Sequence, residues 1–256
     1  MTDHILYEQP LNERIRTFLR LEFLFAQASH HLHSDSPWDS RCTLTSLLDI
    51  LSIFGRTDLK TEVLKELERH ATTLNKLARN PDVDTRRLGE ILAELDRLSD
   101  QLHQSGGPIA ADLKKNEFLT GIQQRGAIAG GTCDFDLPGY HFWLQQPARQ
   151  RVRDLSAWLG RFDPVARAIQ LILRLVRESA PLKPVTAENG FYQVNLDSSH
   201  PCQLVRVALK RNSPWYAEIS GGRHRFTVRF LETLGEDGHV RQTRDPVDFE
   251  LGCCVI

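Results

Sequence analysis

The spacing of apolar residues changes along the chain, and this change constrains the fold more than any other feature of the sequence. From residue 11 to about residue 178, apolar residues recur every three or four positions, as they do on one face of an α-helix. Pro181 and Pro184 then interrupt the pattern, and beyond them apolar and polar residues alternate in short runs. We therefore predict an α+β protein with a mainly helical domain over residues 1–182. A smaller antiparallel β domain, a sheet or a barrel, should follow over residues 183–256.

Two neighbouring segments of the helical part have clear helix signals. "DLKTEVLKELERHATTLNKLA" begins with Asp58, a helix-capping residue type, and ends near Pro81. "DTRRLGEILAELDRLSDQL" repeats the pattern and ends before a Gly-Gly-Pro sequence. Because their connection is short, we expect the two helices to pack as a hairpin within one subunit. A seam between two subunits is the other interpretation of this spacing.

The β part contains short strand candidates separated by turn-forming residues. They are "FYQVNL", "QLVRVALK", "WYAEIS", "HRFTVRFLE" and "VDFELGCCVI". Strands and helices do not alternate along the chain, which disfavours a nucleotide-binding fold with a parallel sheet.

One of these strands carries several arginines within "SGGRHRFTVRF". Side chains on a strand alternate between its two faces, so this segment separates into a basic and an apolar set. The sets are Arg223, Arg225, Thr227 and Arg229 on one face, and His224, Phe226, Val228 and Phe230 on the other. The apolar set suits a core, whereas guanidiniums lined up on one face repel one another.

Two explanations account equally well for the arginine strand. Cross-strand carboxylates could balance it, with Glu218, Glu232 and Glu250 as candidates. Alternatively, the strand could bind an acidic partner. Nucleic acid is a poor partner because the net charge of the chain is -1, and because Thr227 lies on the basic face where base stacking would need an aromatic residue.

The helical part also contains basic residues close together. Arg16 and Arg20 lie four positions apart, where like charges repel unless an anion relieves them, and Glu13 can do part of this. A second cluster consists of Arg149, Arg151 and Arg153. Because Asp154 adjoins this cluster, we interpret it as a solvated helix face.

Catalytic and metal-binding sites receive little support from the sequence. Cys133 and His141 lie in one loop, "CDFDLPGYH", and leave a small-molecule enzyme as the alternative function. The "HHLH" sequence at residues 30–33 has no Cys or carboxylate at a standard zinc spacing, and no phosphate-binding glycine motif occurs. We therefore predict no catalytic residues, no metal and no cofactor.

The predicted cellular location rests on three features that the sequence lacks. The five cysteines lack a CxxC spacing, which fits a reducing compartment. The chain has no run of about 18 apolar residues, and its first residues do not form a signal-peptide pattern. We predict a cytoplasmic protein without membrane insertion.

Five separated blocks of the sequence resemble the ZapD family of bacterial cell-division proteins. The blocks are "LYEQPLNERIRTFLRLEFLF", "VLKELERH", "GGTCDFDLPGYHFWL", "NGFYQ" and "ISGGRHRFTVRF…DFELGCC", and the resemblance runs from about Leu6 to Cys254. It implies a helical domain with a smaller β domain. It also implies a cytoplasmic, non-enzymatic homodimer that binds the C-terminal tail of FtsZ and bundles FtsZ filaments at midcell.

The resemblance also implies which residues form the tail-binding site. The matching positions are Arg16, Arg20, Arg56, His141 and Arg225, and Arg223 matches a position that is basic in relatives; strand geometry adds Arg229. One position departs from the family pattern, because Glu117 stands where the family has an arginine. Lys114 and Lys115, just before it, could supply the missing positive charge.

Overall fold

The structure is a computed structural model that describes residues 3–56, 58–78, 83–197, 201–234 and 238–255, without the side chains of residues 56 and 234. The chain forms two compact units, one of residues 19–172 and one of residues 1–18 with 173–256. The predicted division into domains at residue 182 stays a prediction. We call the two parts the helical unit and the β unit.

Helices occupy the chain up to residue 178, as the apolar spacing predicts. They are α1 (Glu13–Leu32), α2 (Pro37–Arg56), α3 (Leu59–Leu77), α4 (Thr85–Gln104), α5 (Glu117–Gly126), α6 (Pro138–Leu144), α7 (Ala148–Leu159) and α8 (Asp163–Glu178). Asp58 caps α3, as predicted, by accepting a hydrogen bond from the backbone N–H of Thr61. α3 and α4 pack against each other within the chain, which confirms the expected hairpin.

The core of the helical unit contains the aromatic rings of Phe25, Phe54 and Phe162. The Phe162 ring centroid lies 6.2 Å from that of Phe25 and 5.2 Å from that of Phe54. All three side chains are buried. These rings pack parts of α1 and α2 together, and both helices carry predicted site residues.

A buried arginine holds several segments of the helical unit in place. Arg151, on α7, donates hydrogen bonds to the Ser40 hydroxyl at 3.0 Å and to the backbone carbonyls of Asp35, Leu144 and Gln146. Only 4% of Arg151 is exposed, so its interpretation as part of a solvated face was wrong. Residues two apart on a helix point in different directions, which lets Arg151 face inward while Arg149 and Arg153 stay exposed.

The described part of the β unit contains two antiparallel sheets. The strands are β1 (His4–Pro10), β2 (Lys183–Ala187), β3 (Phe191–Asn195), β4 (Leu204–Lys210), β5 (Tyr216–Gly221), β6 (Arg225–Leu234), β7 (His239–Gln242) and β8 (Val247–Cys254). One sheet has the order β1-β4-β8-β2, and the other has the order β3-β6-β5 with β7 paired to β6. This confirms the α+β class with an antiparallel β region and selects the sheet of the two predicted alternatives.

Both sheets contribute side chains to one core. Phe226, Val228 and Phe230 of β6 are fully buried and pack in a cluster with Val207 of β4 and Phe249 of β8. The Phe230 and Phe249 ring centroids are 5.0 Å apart. The alternation predicted for β6 is therefore confirmed for the apolar residues within the strand.

Some of the strands were not predicted from the sequence, for identifiable reasons. β1 leaves Ile5 and Leu6 partly exposed, so its apolar residues do not alternate in the way a half-buried strand requires. β2 contains Pro184, which was interpreted only as a breaker. Because β2 lies at the edge of its sheet, the missing N–H of proline is tolerated there.

Candidate functional site

The arginines of β6 lie on its exposed face. Arg225 and Arg229 are exposed, and both alternate with buried apolar residues. Arg223 is also exposed but precedes β6, as does His224. The assignment of His224 to the buried face was therefore wrong, because the residue lies in the turn before the strand.

A glycine fixes the turn that leads into this strand. A Cβ atom at Gly221 would lie 2.6 Å from the Phe226 Cβ and 2.9 Å from the Leu11 Cδ2, so no side chain fits without movement. The N–H of Gly222 donates a hydrogen bond to the carbonyl of Arg225 at 3.0 Å. The close approach and this hydrogen bond define the turn before β6, whose first residue, Arg225, is exposed.

The carboxylates proposed to balance the arginine strand do not pair with it in the described part of the chain. Glu218 lies directly opposite Arg229 on β5 but forms no ion pair with it. Glu232 instead pairs with Arg241 at 2.7 Å, and Glu250 belongs to the other sheet. Of the three candidate carboxylates, only that of Glu218 lies opposite an arginine of this strand, and it forms no ion pair with Arg229.

The exposed face of β6 also has aromatic neighbours. Phe191 lies directly opposite Arg229 on β3, and Tyr216 lies opposite Leu231 on β5. About a third of each aromatic residue is exposed, 37% and 36% respectively. The statement that this face lacks aromatic positions was wrong, because it considered one strand and not its neighbours. The argument from net charge against nucleic acid is unaffected.

The two arginines of α1 differ in their surroundings. Arg16 donates a hydrogen bond from Nε to the Glu13 carboxylate at 3.1 Å, so its charge is partly balanced, as expected. Arg20 is exposed and pairs with no carboxylate among the residues that the structure describes. Arg20 is therefore the more available of the two cations for an external anion.

The remaining predicted residues lie at helix ends. Arg56 is the last residue of α2, and its side chain lies outside the described part of the structure. His141 is exposed on α6. Lys114 donates a hydrogen bond from Nζ to the carbonyl of Phe54 at 3.2 Å, two residues before Arg56. A lysine is thus present at the end of α2, although Glu117 replaces the arginine of the family pattern.

The predicted residues fall into both compact units. Arg20, Arg56 and His141 belong to the helical unit. The other four belong to the β unit. They are Arg16, Arg223, Arg225 and Arg229. The assembly of all seven residues into one site stays a prediction.

The helical unit contains a groove that sequence analysis did not identify. It has a volume of about 680 Å³ and is lined by residues of α1, α2, α5 and α6. Its apolar lining includes Trp38, Leu44, Leu48, Ile122 and Tyr140. Trp38 is 75% exposed, which is unusual for a tryptophan. The signal in the sequence was a tryptophan among polar residues in "SDSPWDSRC".

A cation stacks on the aromatic residues at one end of this groove. The Arg41 guanidinium carbon lies 4.9 Å from the ring centroid of Tyr140 and 5.4 Å from that of Trp38. Arg41 pairs with no carboxylate in the described part of the chain. Burial raises the pKa of Tyr140 to about 12, and the nearby Arg41 charge acts in the opposite direction. Tyr140 therefore stays a neutral phenol at physiological pH.

The groove also contains an acidic residue. Asp49 of α2 lines it and makes no hydrogen bond with a described residue. Asp49 is largely exposed to solvent, but partial burial of its carboxyl group raises the pKa of Asp49 above its usual value of 3.8. A carboxylate whose pKa is raised by folding lowers stability as pH rises through that raised pKa.

We expect Asp49→Asn to melt at a higher temperature than the wild type near pH 7 and at the same temperature near pH 3. The unfolded chain ionises this carboxyl group more readily, so the stability cost in the wild type exists only above the ordinary pKa of 3.8. Thermal unfolding followed by circular dichroism at both pH values measures the difference. Asp96→Asn, which changes an aspartate of α4 that does not line the groove, is the matched control. Identical pH dependence in the two variants would contradict the assignment.

The histidines of the "HHLH" sequence have structural contacts. His30 and His31 lie in the last turn of α1. His31 Nδ1 hydrogen-bonds to the Asp39 carboxylate at 2.5 Å. Hydrogen bonds from Ser34 and His31 hold the pKa of Asp39 below its usual value. Within the described ranges, no group of three or more His, Cys, Asp or Glu residues is arranged to hold a metal.

Cys133 and His141, the residues of the enzyme alternative, are both exposed. No helix in the described parts of the chain has the length and apolarity needed to span a membrane.

Comparison with known proteins identifies related chains. The model of the ZapD family, described as a cell division protein, matches residues 19–229. A cell division protein ZapD from Methylococcus capsulatus is 43% identical over 256 residues, covering 100% of both chains. ZapD proteins from Enterobacter and Coxiella burnetii are 39% and 38% identical and cover 99% and 98% of this chain. In each case at least 98% of the relative is covered.

Proposed function

The chain belongs to the ZapD family of cell division proteins, and we propose that it binds the C-terminal tail of FtsZ through a basic pocket. As a homodimer in the cytoplasm, it then crosslinks and bundles FtsZ filaments and stabilises the Z ring at midcell. The proposed contact residues are Arg16, Arg20, Arg56, His141, Arg223, Arg225 and Arg229.

The observation that carries this proposal is the exposed arginine face of β6. Arg225 and Arg229 project from a strand anchored by buried Phe226, Val228 and Phe230, and no described carboxylate pairs with either arginine. The strand fixes the positions from which the two side chains extend, and the planar guanidinium loses less rotamer freedom for each hydrogen bond formed with a carboxylate than an ammonium does. An acidic peptide tail is therefore the partner chemistry that this face fits.

Bundling follows from weak contacts that are repeated. A short peptide on an exposed basic face gains orientation and association rate from charge more than it gains affinity. A dimer offers two such faces and a filament offers many tails, so linkage raises the effective affinity without additional contacts. The proposed role requires binding and assembly only, and it assigns no catalytic function to Cys133 or His141.

Co-sedimentation with FtsZ filaments tests the proposal. We expect the chain to pellet with filaments of full-length FtsZ and to stay in the supernatant with filaments that lack the C-terminal tail. Cys133→Ala should pellet like the wild type, because the proposed function does not use this thiol. Pelleting that is independent of the tail would contradict the proposed contact. Loss of pelleting in Cys133→Ala would favour the alternative that relies on the Cys133 and His141 loop.

The bivalent mechanism requires a dimer. Sedimentation equilibrium at micromolar concentration should give twice the 29.2 kDa mass of the chain. A monomer under these conditions would remove crosslinking from the proposal and would leave tail binding itself unaffected.

A further inference from the structure

We propose that Cys202 and Cys253 form a site of reversible oxidation, at which a hydroperoxide converts the two thiols into a disulfide within the folded β unit. Cys202 lies two residues before β4, and Cys253 is the last but one residue of β8. Each of the five cysteines lies in the described part of the chain and is a free thiol there. Neither Cys202 nor Cys253 belongs to the residues proposed to bind FtsZ, so this proposal stands or falls independently of tail binding.

The two side chains meet at the core of the β unit. Cys202 is 7% exposed and belongs to the core cluster that contains Phe226 and Phe230, and the half-buried Cys253 packs against the same cluster. The Cys202 thiol donates a hydrogen bond to the Cys253 sulfur. The Cys202 sulfur also lies 3.5 Å from the carbonyl oxygen of Leu204. Sulfur atoms that are already in hydrogen-bond contact need only a small movement to reach the S–S bond length of about 2.05 Å.

Backbone hydrogen bonds hold the segment of Cys202 against the end of β8. The N–H of Gln203 donates to the carbonyl of Cys254 at 2.7 Å, and the carbonyl of Gln203 accepts a hydrogen bond from the N–H of Leu11 at 2.9 Å. Directly after this segment, Leu204 lies opposite Cys254 in the pairing of β4 with β8. The position of Cys202 beside β8 is therefore fixed by the strands themselves, and the disulfide requires no exchange of strand partners.

The neighbouring Cys254 is excluded from the pair by its orientation. Consecutive residues of a strand point to opposite faces of the sheet. Cys254 is fully buried, and its sulfur lies 4.0 Å from the carbonyl oxygen of Arg177 at the end of α8. Burial raises the pKa of Cys254 to about 11, so this residue stays a thiol at physiological pH. The partner of Cys253 is therefore Cys202 and not the adjacent cysteine.

The hydrogen bond gives the two cysteines different roles. The bond from Cys202 lowers the pKa of Cys253, although partial burial acts in the opposite direction. The same hydrogen bond, together with burial, raises the pKa of Cys202. Oxidants react with the thiolate and not with the thiol, and Cys253 is also the more exposed of the two residues. Cys253 is thus the residue that reacts first, and Cys202 is the resolving thiol.

The reaction consumes one hydroperoxide and releases water. The Cys253 thiolate attacks an oxygen of hydrogen peroxide, the O–O bond breaks, and the leaving hydroxide takes up a proton, which gives a sulfenic acid and water. The Cys202 sulfur then attacks the sulfenic sulfur, the S–O bond breaks, and the hydroxide leaves with the Cys202 proton as a second water. The peroxide accepts the two electrons that the two thiols lose. A thiol reductant restores both cysteines by exchange.

The disulfide closes a loop of about 50 residues that contains β4 to β7. The arginine strand β6 lies within this loop. A crosslink that closes a long loop restricts the unfolded chain more than the folded one, and this stabilises the fold. We expect the crosslinked chain to melt about 5 °C above the reduced chain.

Peptide mapping of the full chain by mass spectrometry tests the pair. Folded, reduced protein is treated with about one equivalent of hydrogen peroxide, and the remaining thiols are blocked with N-ethylmaleimide before digestion with trypsin. We expect one crosslink, which joins the peptide of Cys202 to the C-terminal peptide and is cleaved by dithiothreitol. Cys42 and Cys133 should carry the maleimide. Thermal unfolding of the crosslinked and the reduced chain measures the expected shift in melting temperature.

Variants separate the adjacent cysteines, which share the C-terminal tryptic peptide. Cys254→Ser is the matched control and should form the crosslink like the wild type, whereas Cys253→Ser should form none. Cys202→Ser removes the resolving thiol and should leave a sulfenic acid at Cys253 that dimedone traps. Circular dichroism verifies folding, and an alanine variant replaces any serine variant that fails to fold.

Four results would overturn the assignment. They are no crosslink in the oxidised wild type, a crosslink that persists in the folded Cys253 variant, a folded Cys202 variant that dimedone does not label at Cys253, and a crosslinked chain that melts no higher than the reduced one.

Discussion

Charge reversal at Arg20 or Arg225 is expected to weaken binding of the FtsZ tail by at least about a hundredfold. Each change replaces attraction with repulsion, and a loss of about 3 kcal/mol corresponds to roughly two orders of magnitude in Kd. Arg20→Lys and Arg225→Lys should recover part of the affinity, because an ammonium lacks the bidentate geometry of a guanidinium. Anisotropy titrations of labelled tail peptide against each variant measure the effect.

The salt dependence and a control variant separate this effect from unfolding. Wild-type binding should weaken as salt is raised, since the Debye length is already only about 8 Å at physiological ionic strength. Arg149→Glu makes the same change of charge at an exposed position of α7 and should bind like the wild type. Equal affinities for the folded wild type, Arg20→Glu and Arg225→Glu at low and high salt would show that these arginines do not bind the tail.

Replacement of Arg151 by methionine should lower the free energy of unfolding by about 3 kcal/mol. Arg151→Met leaves several acceptors without their donor, including the Ser40 hydroxyl oxygen and the Leu144 carbonyl, and each unsatisfied buried group costs about 1–3 kcal/mol. Arg151→Lys should recover part of the loss, because an ammonium reaches fewer of these acceptors at once. Urea unfolding followed by circular dichroism measures the difference.

Arg153→Met is the control for this prediction. Arg153 lies two residues away on the same helix, but its side chain is 74% exposed. A change at such a surface position should stay within about 0.5 kcal/mol of the wild type. If Arg151→Met and Arg153→Met were equally stable, the hydrogen bonds of Arg151 would be dispensable for the fold.

The sequence predicted those parts of the fold in which burial follows a simple period. Phe226, Val228 and Phe230 alternate with polar residues, and all three are buried as expected. The edge strand β2 contains Pro184, a residue type that is rare inside a sheet, so the local signal opposed its true structure. Strand pairing was also beyond local reasoning, because Phe191 and Arg229 become neighbours only through the register of β3 and β6.

The sequence predicted which residues of the candidate site are exposed and basic, but it did not predict which residues surround them. Exposure of Arg20 and Arg225 follows from the patterns around them, as does the pairing of Arg16 with Glu13. Arg151 resembles its neighbours in sequence but is buried, because its partners come from segments distant in the chain. The groove likewise depends on long-range packing, since Trp38 and Tyr140 are about a hundred residues apart and meet around Arg41.

The position of β1 affects synthesis and handling of the protein. β1 ends at Pro10 and its partner β4 begins at Leu204, so the ribosome needs roughly 10–40 s between the two strands. Until β4 is made, β1 lacks the strand with which it pairs in the sheet. A fusion tag placed directly before β1 that keeps residues 4–10 away would leave β4 with an open edge, which is a template for aggregation. Filament-bundling assays should therefore use protein from which such a tag has been cleaved, because aggregates sediment as bundles do.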